Sequence, residues 1–260
     1  MDLGLARKVV LVTGGARGIG AGIAKFLAEE MAIPVIIDRN AAGAAAMAGE
    51  INAAGGAAMA VAAELATSED CRRAVAAAVS RYGSIDGLVN NAGINDGVGL
   101  ETGDSERFLA SLRTNLVHYY DMARLALPEL KNSRGAIVNI SSKVAETGQG
   151  GTSGYAAANG GRNALTREWA VELAPFGIRV NAVIVAECWT PMYAQWLSSR
   201  PEPDKARQQI EARIPLARRM TTVEEIANTV AFLLSPRSSH TTGQLIHVDG
   251  GYVHLDRAAT

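Results

Sequence analysis

The sequence predicts an α/β fold: a single doubly wound domain over residues 1–260, with a mainly parallel seven-stranded sheet and helices on both faces. Short apolar runs alternate with segments of helical periodicity, which is typical of strands and helices that follow one another in a parallel sheet. A content of 48% apolar residues with 27 glycines fits a buried sheet covered by closely packed helices. The expected strands lie near residues 8–13, 34–38, 57–62, 85–90, 135–141, 178–184 and 243–248.

The first strand leads directly into a glycine-rich turn and then into a helix. The apolar run Lys8–Thr13 is followed by a Gly-x-x-x-Gly-x-Gly pattern and by helical spacing over residues 21–30. Glycines permit a tight turn and let backbone N–H groups approach a pyrophosphate at the positive end of the helix. This order predicts a Rossmann-type dinucleotide site. Its expected contacts are Gly14, Arg17, Gly18, Ile19 and Gly20.

The end of the second strand bears on the choice of dinucleotide. Asp38 closes the run Pro34–Asp38, and a carboxylate there accepts hydrogen bonds from both ribose hydroxyls and repels a 2′-phosphate. Arg17 and Arg39 are placed to hold such a phosphate with a guanidinium fork, which favours the opposite choice. We expect NAD as the cofactor, because the carboxylate lies closer to the 2′ position, and leave NADP as the alternative.

Polar segments follow the later strands in a fixed order. Ser142 ends the apolar run that begins at Ala136, and Tyr155 opens a helix thirteen residues later. Together with the glycine turn, these segments resemble the short-chain dehydrogenase/reductase family. The other segments that carry the resemblance are Asn90–Gly93, Asn115, Gly177–Val183 and Asp249–Gly251.

The resemblance implies a role for each matching residue. In the family the serine, here Ser142, holds the substrate oxygen, the tyrosine, here Tyr155, passes the proton, and Asn115 matches a structural and proton-relay asparagine. The family also implies a small-molecule substrate and a homotetramer. The cofactor contacts that it implies beyond the glycine turn are Asp38, Arg39, Glu64, Leu65, Asn91, Ala92, Gly93, Tyr155, Asn159 and Thr190.

One catalytic position departs from the family pattern. The family has a lysine four residues after the tyrosine, and Asn159 occupies that position here. Residues four apart share a helical face, and a cation there favours tyrosinate over a phenol, whose pKa is about 10 when free. The amide of Asn159 is expected to reach the nicotinamide ribose but brings no charge. We therefore expect proton transfer to be slower by roughly 10²–10⁴-fold.

Two alternatives to an impaired enzyme stay open. Lys143, directly after Ser142, or Arg162, two helical turns beyond Tyr155, are the candidates to supply the missing charge. A solvated lysine and a helix-surface arginine are the simpler interpretations of these two residues. The other alternative is a nucleotide-binding protein without turnover, either a pseudo-enzyme or a catalytic knock-out made by replacing the lysine.

The expected substrate is a sugar or another alcohol. Loops that should face the nicotinamide carry amides and carboxylates, and a proline-rich insertion over residues 190–214 lies where the family places its substrate lid. A packing or subunit-contact role is the alternative for this insertion. Within the family, the chain resembles bacterial L-fucose dehydrogenases, which oxidise an aldose to its lactone with NAD(P). The expected substrate contacts are Asn95, Ser142, Lys143, Gln149, Tyr155, Glu187, Trp189 and Trp196.

Composition and charge argue against several other classes of protein. A formal net charge of −1 offers no electrostatic argument for binding nucleic acid or an anionic membrane. No stretch is long and apolar enough to span a bilayer, and the N-terminus lacks the pattern of a signal peptide. Two cysteines and four histidines fit no metal spacing, so we expect reduced thiols, packing roles for the histidines, no metal and a cytoplasmic protein.

Overall fold

Seven strands form one sheet in which every pair of neighbouring strands runs parallel. The computed structural model describes residues 2–255. The strands are β1 (Val9–Thr13), β2 (Ile33–Asp38), β3 (Met59–Ala62), β4 (Gly87–Asn90), β5 (Ala136–Ser142), β6 (Arg179–Val185) and β7 (Leu245–Val248). Their spatial order is β3–β2–β1–β4–β5–β6–β7. The predicted doubly wound α/β fold is confirmed, and the sheet is wholly rather than mainly parallel.

Helices between the strands cover both faces of the sheet. They are α1 (Gly18–Glu29), α2 (Ala41–Ala53), α3 (Ser68–Tyr82), α4 (Ser105–Leu112), α5 (His118–Ser133), α6 (Val144–Thr147), α7 (Ser153–Leu173), α8 (Pro191–Ser198), α9 (Pro203–Glu211) and α10 (Val223–Leu234). Val9 and Leu11 of β1 pack with α3, α5 and α7, whereas Val10 and Val12 pack with α1 and α10. Side chains of a strand alternate between its faces, so a sheet covered on both sides needs apolar residues at every position.

The order of the strands places a crevice at the carboxyl end of β1. From β1 the chain builds outward through β2 and β3 on one side, and then returns to add β4 on the other. Doubly wound sheets bind their ligands at such a reversal of strand order. Thr13, the last residue of β1, holds the loop that follows β4. Its Oγ1 accepts a hydrogen bond of 2.8 Å from the backbone N–H of Asn91.

The proline-rich insertion folds into two short helices, α8 and α9, beyond the carboxyl end of β6. Thr190 caps α8 by accepting a hydrogen bond of 3.1 Å from the N–H of Tyr193. An isolated parallel bridge between Cys188 and Thr221 closes the base of the insertion. The two ends of the insertion are therefore joined, and the N-terminus of α8 lies at the carboxyl edge of the sheet.

The two cysteines are buried and unpaired. Burial raises the pKa of the Cys71 and Cys188 thiols to about 12, so both stay protonated and unreactive. Among residues 2–255, none of the helices combines the length and the apolar content that crossing a bilayer requires.

Candidate active site

A cavity of about 400 Å³ opens at the carboxyl ends of the strands. Its walls bring together most of the residues that the sequence singles out. Predicted cofactor residues on the walls are Gly14, Arg17, Gly18, Ile19, Asp38, Arg39, Glu64, Leu65, Asn91, Ala92, Gly93 and Thr190. Predicted substrate or catalytic residues on the walls are Asn95, Ser142, Lys143, Gln149, Tyr155 and Glu187. Five predicted residues lie off the walls, namely Gly20, Asn115, Asn159, Trp189 and Trp196.

The glycine turn has the geometry and the open N–H groups that a pyrophosphate needs. Gly14 and Gly18 have φ values of +64° and +57°, a region that L side chains rarely adopt. A Cβ on Gly20 would lie 2.2 Å from the carbonyl oxygen of Gly14, so Gly20 shapes the turn from behind the cavity wall. Arg17, the N-cap of α1, makes no side-chain cap, and the first turn of α1 has no acidic residue. The positive end of α1 therefore stays open to an anion, and this cradle fits a dinucleotide.

Asp38 lies at the end of β2, and its carboxylate can accept more hydrogen bonds than the protein itself donates to it. Its two carboxylate oxygens accept hydrogen bonds from the N–H groups of Ala16, at 3.1 Å, and Asn40, at 2.9 Å. A carboxylate has about four lone-pair sites, so two remain for the hydroxyls of a ribose. Arg39 lies 3.9 Å from the carboxylate of Glu64, so this guanidinium already has an anionic neighbour. These contacts leave the Asp38 carboxylate able to accept hydrogen bonds from a ribose.

Asp38→Ala is expected to lower the preference for NADH over NADPH by at least about 10-fold. The substitution removes charge-assisted hydrogen bonds to the ribose and also removes the repulsion of a 2′-phosphate. Fluorescence titration with both reduced cofactors measures the ratio of dissociation constants. Asp38→Asn is the matched variant, because it keeps the acceptor oxygen and deletes only the charge. An unchanged ratio in both variants would contradict the assignment.

Asn115 lies in a π-helical turn, Arg113–Val117, that separates α4 from α5. Its Oδ1 accepts a hydrogen bond of 2.8 Å from the N–H of Ile94 and so fixes the loop after β4. A π-turn changes the usual helical pairing of backbone groups. The carbonyl oxygen of Asn115 accepts instead from Arg162, whose Nε lies 2.9 Å away. Asn115 is fully buried, so it acts on the cavity from one layer behind its wall.

Asn159 and Arg162 occupy the face of α7 behind Tyr155. The amide nitrogen of Asn159 donates to the carbonyl of Tyr155 at 2.8 Å, and its Oδ1 accepts from Arg162 at 3.0 Å. Asn159 is fully buried. The expectation that its amide reaches toward the nicotinamide ribose is therefore wrong, because both ends of the short side chain are bonded within the protein.

Arg162 is buried, with 3% of its surface exposed, and does not lie on the helix surface as expected. Its guanidinium donates to the carbonyl oxygens of Asn115 and Ile140 and to the amide oxygen of Asn159. All these partners are neutral, so they hold the guanidinium in place without cancelling its charge. Its central carbon lies 6.0 Å from the ring centroid of Tyr155 and 4.3 Å from that of Tyr119.

The charge of Arg162 acts on the neighbouring titratable groups. Burial, and next the positive charge of Arg162, lower the pKa of His118 to about 3, so its ring is neutral near pH 7. Burial raises the pKa of the Tyr119 phenol, and Arg162 opposes that rise. A fixed cation therefore stabilises the negative form of acids on this side of the cavity.

Lys143 is also buried rather than solvated, but its charge is matched. Its ammonium forms an ion pair with Glu187 and lies 4.0 Å from the ring centroid of Tyr252. The second oxygen of Glu187 accepts a hydrogen bond of 2.7 Å from the hydroxyl of Tyr193. Burial and this hydrogen bond raise the pKa of Tyr193, so its hydroxyl stays protonated. The three side chains form a polar cluster on the cavity wall, beside Ser142.

The two tryptophans of the insertion do not line the cavity. The ring of Trp189 packs under the guanidinium of Arg207, whose central carbon is 4.5 Å from its centroid. Trp196 contacts Arg200 in the same way, at 4.3 Å, and meets the ring of Tyr193 edge-on. Each indole lies against an arginine and off the cavity wall, so the expected contact of either one with a substrate stays a prediction.

Sequence reasoning missed His118 and the part of Tyr193 in the polar cluster. Tyr193 lies on the cavity wall with Met192. His118 follows Asn115 by three residues, which is the spacing of one helical face, and this signal was available. The hydrogen bond that joins Tyr193 to Glu187 had no signal in the local pattern.

A family model, a curated protein and two solved structures are each similar to nearly the whole chain. A family described as Enoyl-(Acyl carrier protein) reductase matches residues 14–253. An L-fucose dehydrogenase of Oryctolagus cuniculus is 36% identical over 95% of this chain and 85% of its own length. The crystal structure of Cj0485 dehydrogenase has a TM-score of 0.94 and 44% identity, covering 99% of this chain and 98% of that one. A 3-ketoacyl-(acyl-carrier-protein) reductase from Brucella melitensis complexed with NADH has a TM-score of 0.86 and 35% identity, covering 96% and 99% of the two chains.

Proposed function

Because the chain belongs to the short-chain dehydrogenase/reductase family of NAD(P)-dependent oxidoreductases, we propose that it oxidises a hydroxyl of an aldose to the corresponding lactone, with NAD as the preferred cofactor. The observation that carries the choice of substrate is the polar cluster Lys143–Glu187–Tyr193 beside Ser142. A sugar offers several hydroxyls, each able to donate and accept. A wall with an ammonium, a carboxylate and a phenol suits such a ligand, since it presents both hydrogen-bond donors and acceptors to the hydroxyls.

Residues of the cavity have separate roles in the proposed reaction. Tyr155, as tyrosinate, takes the proton of the reacting hydroxyl, and Ser142 hydrogen-bonds to the same oxygen and holds it in place. When bound, the nicotinamide accepts the hydride from the carbon that bears this oxygen. The glycine turn and Asp38 position the two ends of the dinucleotide, and Asn115 fixes the loop that carries Gly93.

We propose that Arg162 supplies the charge that the family takes from its lysine. The central guanidinium carbon of Arg162 lies 6.0 Å from the ring centroid of Tyr155, so a fixed positive charge lies beside the side chain that takes the proton. Arg162 is held near the Tyr155 ring by neutral partners, so this interaction is not cancelled. The charge of Lys143 is offset by Glu187 and contributes far less. Under this proposal Asn159 does not impair the enzyme, because Arg162 supplies the positive charge from a different position on α7.

The insertion over residues 190–214 is proposed as the substrate lid. Met192 and Tyr193 of α8 lie on the cavity wall, while Trp189 and Trp196 lie on the outer side against arginines. Opening of α8 would carry Tyr193 away from Glu187 and expose the polar cluster to an entering sugar. This placement supports a lid that also contributes a substrate contact.

A second candidate is reduction of a 3-oxoacyl group on acyl carrier protein, the activity named for the Brucella melitensis relative. The match to the Enoyl-(Acyl carrier protein) reductase family favours it. The ion pair on the substrate side of the cavity argues against it, because an acyl chain is stabilised by apolar rather than charged surroundings. We therefore place the aldose first.

A substrate panel tests the proposal. NADH formation is measured with L-fucose, other aldoses and simple secondary alcohols, and NADH consumption is measured with a 3-oxoacyl thioester. Turnover of one or more aldoses well above that of simple alcohols supports the proposal, with Tyr155→Phe as the reference that lacks the proton acceptor. Thioester reduction alone would favour the second candidate. Tight NADH binding without turnover of any compound would indicate a nucleotide-binding pseudo-enzyme.

The chain is proposed to form a homotetramer through α4, α5, α7 and the edge strand β7. Large apolar side chains are exposed on these helices, among them Leu109, Tyr120 and Val171, the last with 76% of its surface accessible. Burial of these side chains between subunits would stabilise such an assembly. Sedimentation at micromolar concentration is expected to give a tetramer, and Tyr120→Glu is expected to give smaller species. A monomer alone in the parent chain would refute the assembly.

A further inference from the structure

Three potential metal ligands meet at the edge of the sheet, outside the cavity wall. Glu146 lies on α6, His247 on β7, and His254 in the turn that follows β7. Their nearest side-chain atoms lie within 4.8 Å of one another. Nε2 of His247 is 3.0 Å from Oε2 of Glu146 and 3.1 Å from Nε2 of His254, which is 3.8 Å from the same carboxylate oxygen. The expectation of separate packing roles for these histidines does not hold.

Hydrogen bonds alone do not satisfy these three contacts. Nε2 of an imidazole has one position in the ring plane, which carries either a hydrogen or a lone pair. If His247 donates to Glu146, it has no lone pair left to accept from His254. If it accepts from His254 instead, its lone pair faces the carboxylate oxygen at 3.0 Å. In the remaining arrangement the N–H of His247 is shared between the carboxylate of Glu146 and Nε2 of His254, and it points directly at neither acceptor.

A cation at the centre of the triangle satisfies all three atoms at once. Two imidazole nitrogens and one carboxylate oxygen are the donor set that Zn²⁺ takes in proteins, with bonds of about 2.0–2.1 Å. Tetrahedral geometry at that bond length puts ligand atoms about 3.3 Å apart. The three separations, 3.0, 3.1 and 3.8 Å, bracket this value.

We propose that Glu146, His247 and His254 form a zinc site, with water as the fourth ligand. The ion would join α6 to β7 and to the turn after it, which are otherwise separate surface elements. Helix α6 begins immediately after Ser142 and Lys143, so the site would stabilise the segment that carries two residues of the cavity wall. Its role is structural, since none of the three ligands lines the cavity.

Direct metal binding tests the site on the full, tag-free chain. Protein stripped with a chelator and dialysed is titrated with Zn²⁺ by calorimetry, and metal content is measured after desalting. We expect one zinc per chain and a melting temperature that rises by several degrees in excess zinc. Mg²⁺ is expected to produce neither effect, because it prefers oxygen ligands and an octahedral shell.

Variants assign the zinc to these residues. His247→Ala, His254→Ala and Glu146→Gln are each expected to weaken zinc binding by at least about 10-fold and to abolish the melting shift. His254 and Glu146 are exposed, so their variants should fold normally. His240→Ala, which removes another exposed histidine, is the matched control and should bind zinc like the parent. Absence of stoichiometric zinc in the parent, or equal binding in all variants, would overturn the proposal.

Discussion

Replacement of Arg162 by methionine is expected to lower kcat by roughly 10²–10⁴-fold at neutral pH, with a far smaller change in NADH affinity. Methionine keeps much of the volume and removes the buried charge that lies 6.0 Å from the Tyr155 ring. Without that charge, the side chain that accepts the proton of the reacting hydroxyl loses its neighbouring cation. The measurement is steady-state oxidation of the best aldose from the panel.

The loss is expected to shrink as the pH rises. At higher pH a proton acceptor depends less on a neighbouring cation, so a defect caused by the missing charge is expected to shrink, and the acid limb of the rate profile is expected to lie at higher pH. His118 does not produce this limb. Burial, and then the charge of Arg162, lower the pKa of His118 to about 3, so the ring is neutral throughout an assay between pH 5 and 10.

Controls separate charge from structure, because Arg162 also holds backbone carbonyls in place. Losing these bonds leaves buried acceptors unpaired, at a cost of about 1–3 kcal/mol each, so folding is checked by melting and by NADH binding. Arg162→Lys keeps the charge and should retain much more activity than Arg162→Met. Arg167→Met, at an exposed arginine of the same helix, should behave like the parent. An Arg162→Met defect of equal size at every pH would show a purely structural role.

Asn159→Lys is expected to change kcat little in the parent chain and to raise it strongly in the Arg162→Met variant. In the parent chain it should change kcat by less than about 10-fold, because Arg162 already supplies a cation on that face of α7. In Arg162→Met it should raise kcat by at least about 10², because it restores a cation four residues after Tyr155. The full cycle of four variants, assayed at the same pH, isolates the coupling between the two positions.

Each result of this cycle has a clear meaning. A gain of 10²-fold or more from Asn159→Lys in the parent would show that Arg162 does not act on Tyr155 and that Asn159 limits the rate. Lys143→Met provides the comparison with the other buried cation. Since Glu187 neutralises Lys143, this change is expected to raise KM for the aldose more than it lowers kcat.

The sheet and the cofactor end of the cavity could be predicted because their determinants are local. An unbroken apolar run such as Val9–Thr13 is required by burial on both faces, and the glycines that follow it are required by the backbone of the turn. Asp38 could be placed because the end of a strand defines its position. In each case a few consecutive residues contain the whole physical reason.

The electrostatics of the substrate end could not be predicted in the same way. Helical spacing puts Arg162 on the face of Tyr155, but its burial depends on carbonyls from a π-turn and from β5. Lys143 and Glu187 are 44 residues apart, and no local pattern pairs them. The contacts of the two tryptophans with Arg200, between α8 and α9, and with Arg207 of α9 also had no signal in the local pattern.

Gly93 connects two parts of the molecule that act in different steps. A Cβ at this position would lie 2.8 Å from a guanidinium nitrogen of Arg162, so the loop after β4 rests directly against the buried cation. A side chain at position 93 would therefore press on the guanidinium and on the loop beside the dinucleotide site together. Gly93→Ala is accordingly expected to disturb both ends of the cavity, although it removes no functional group from either.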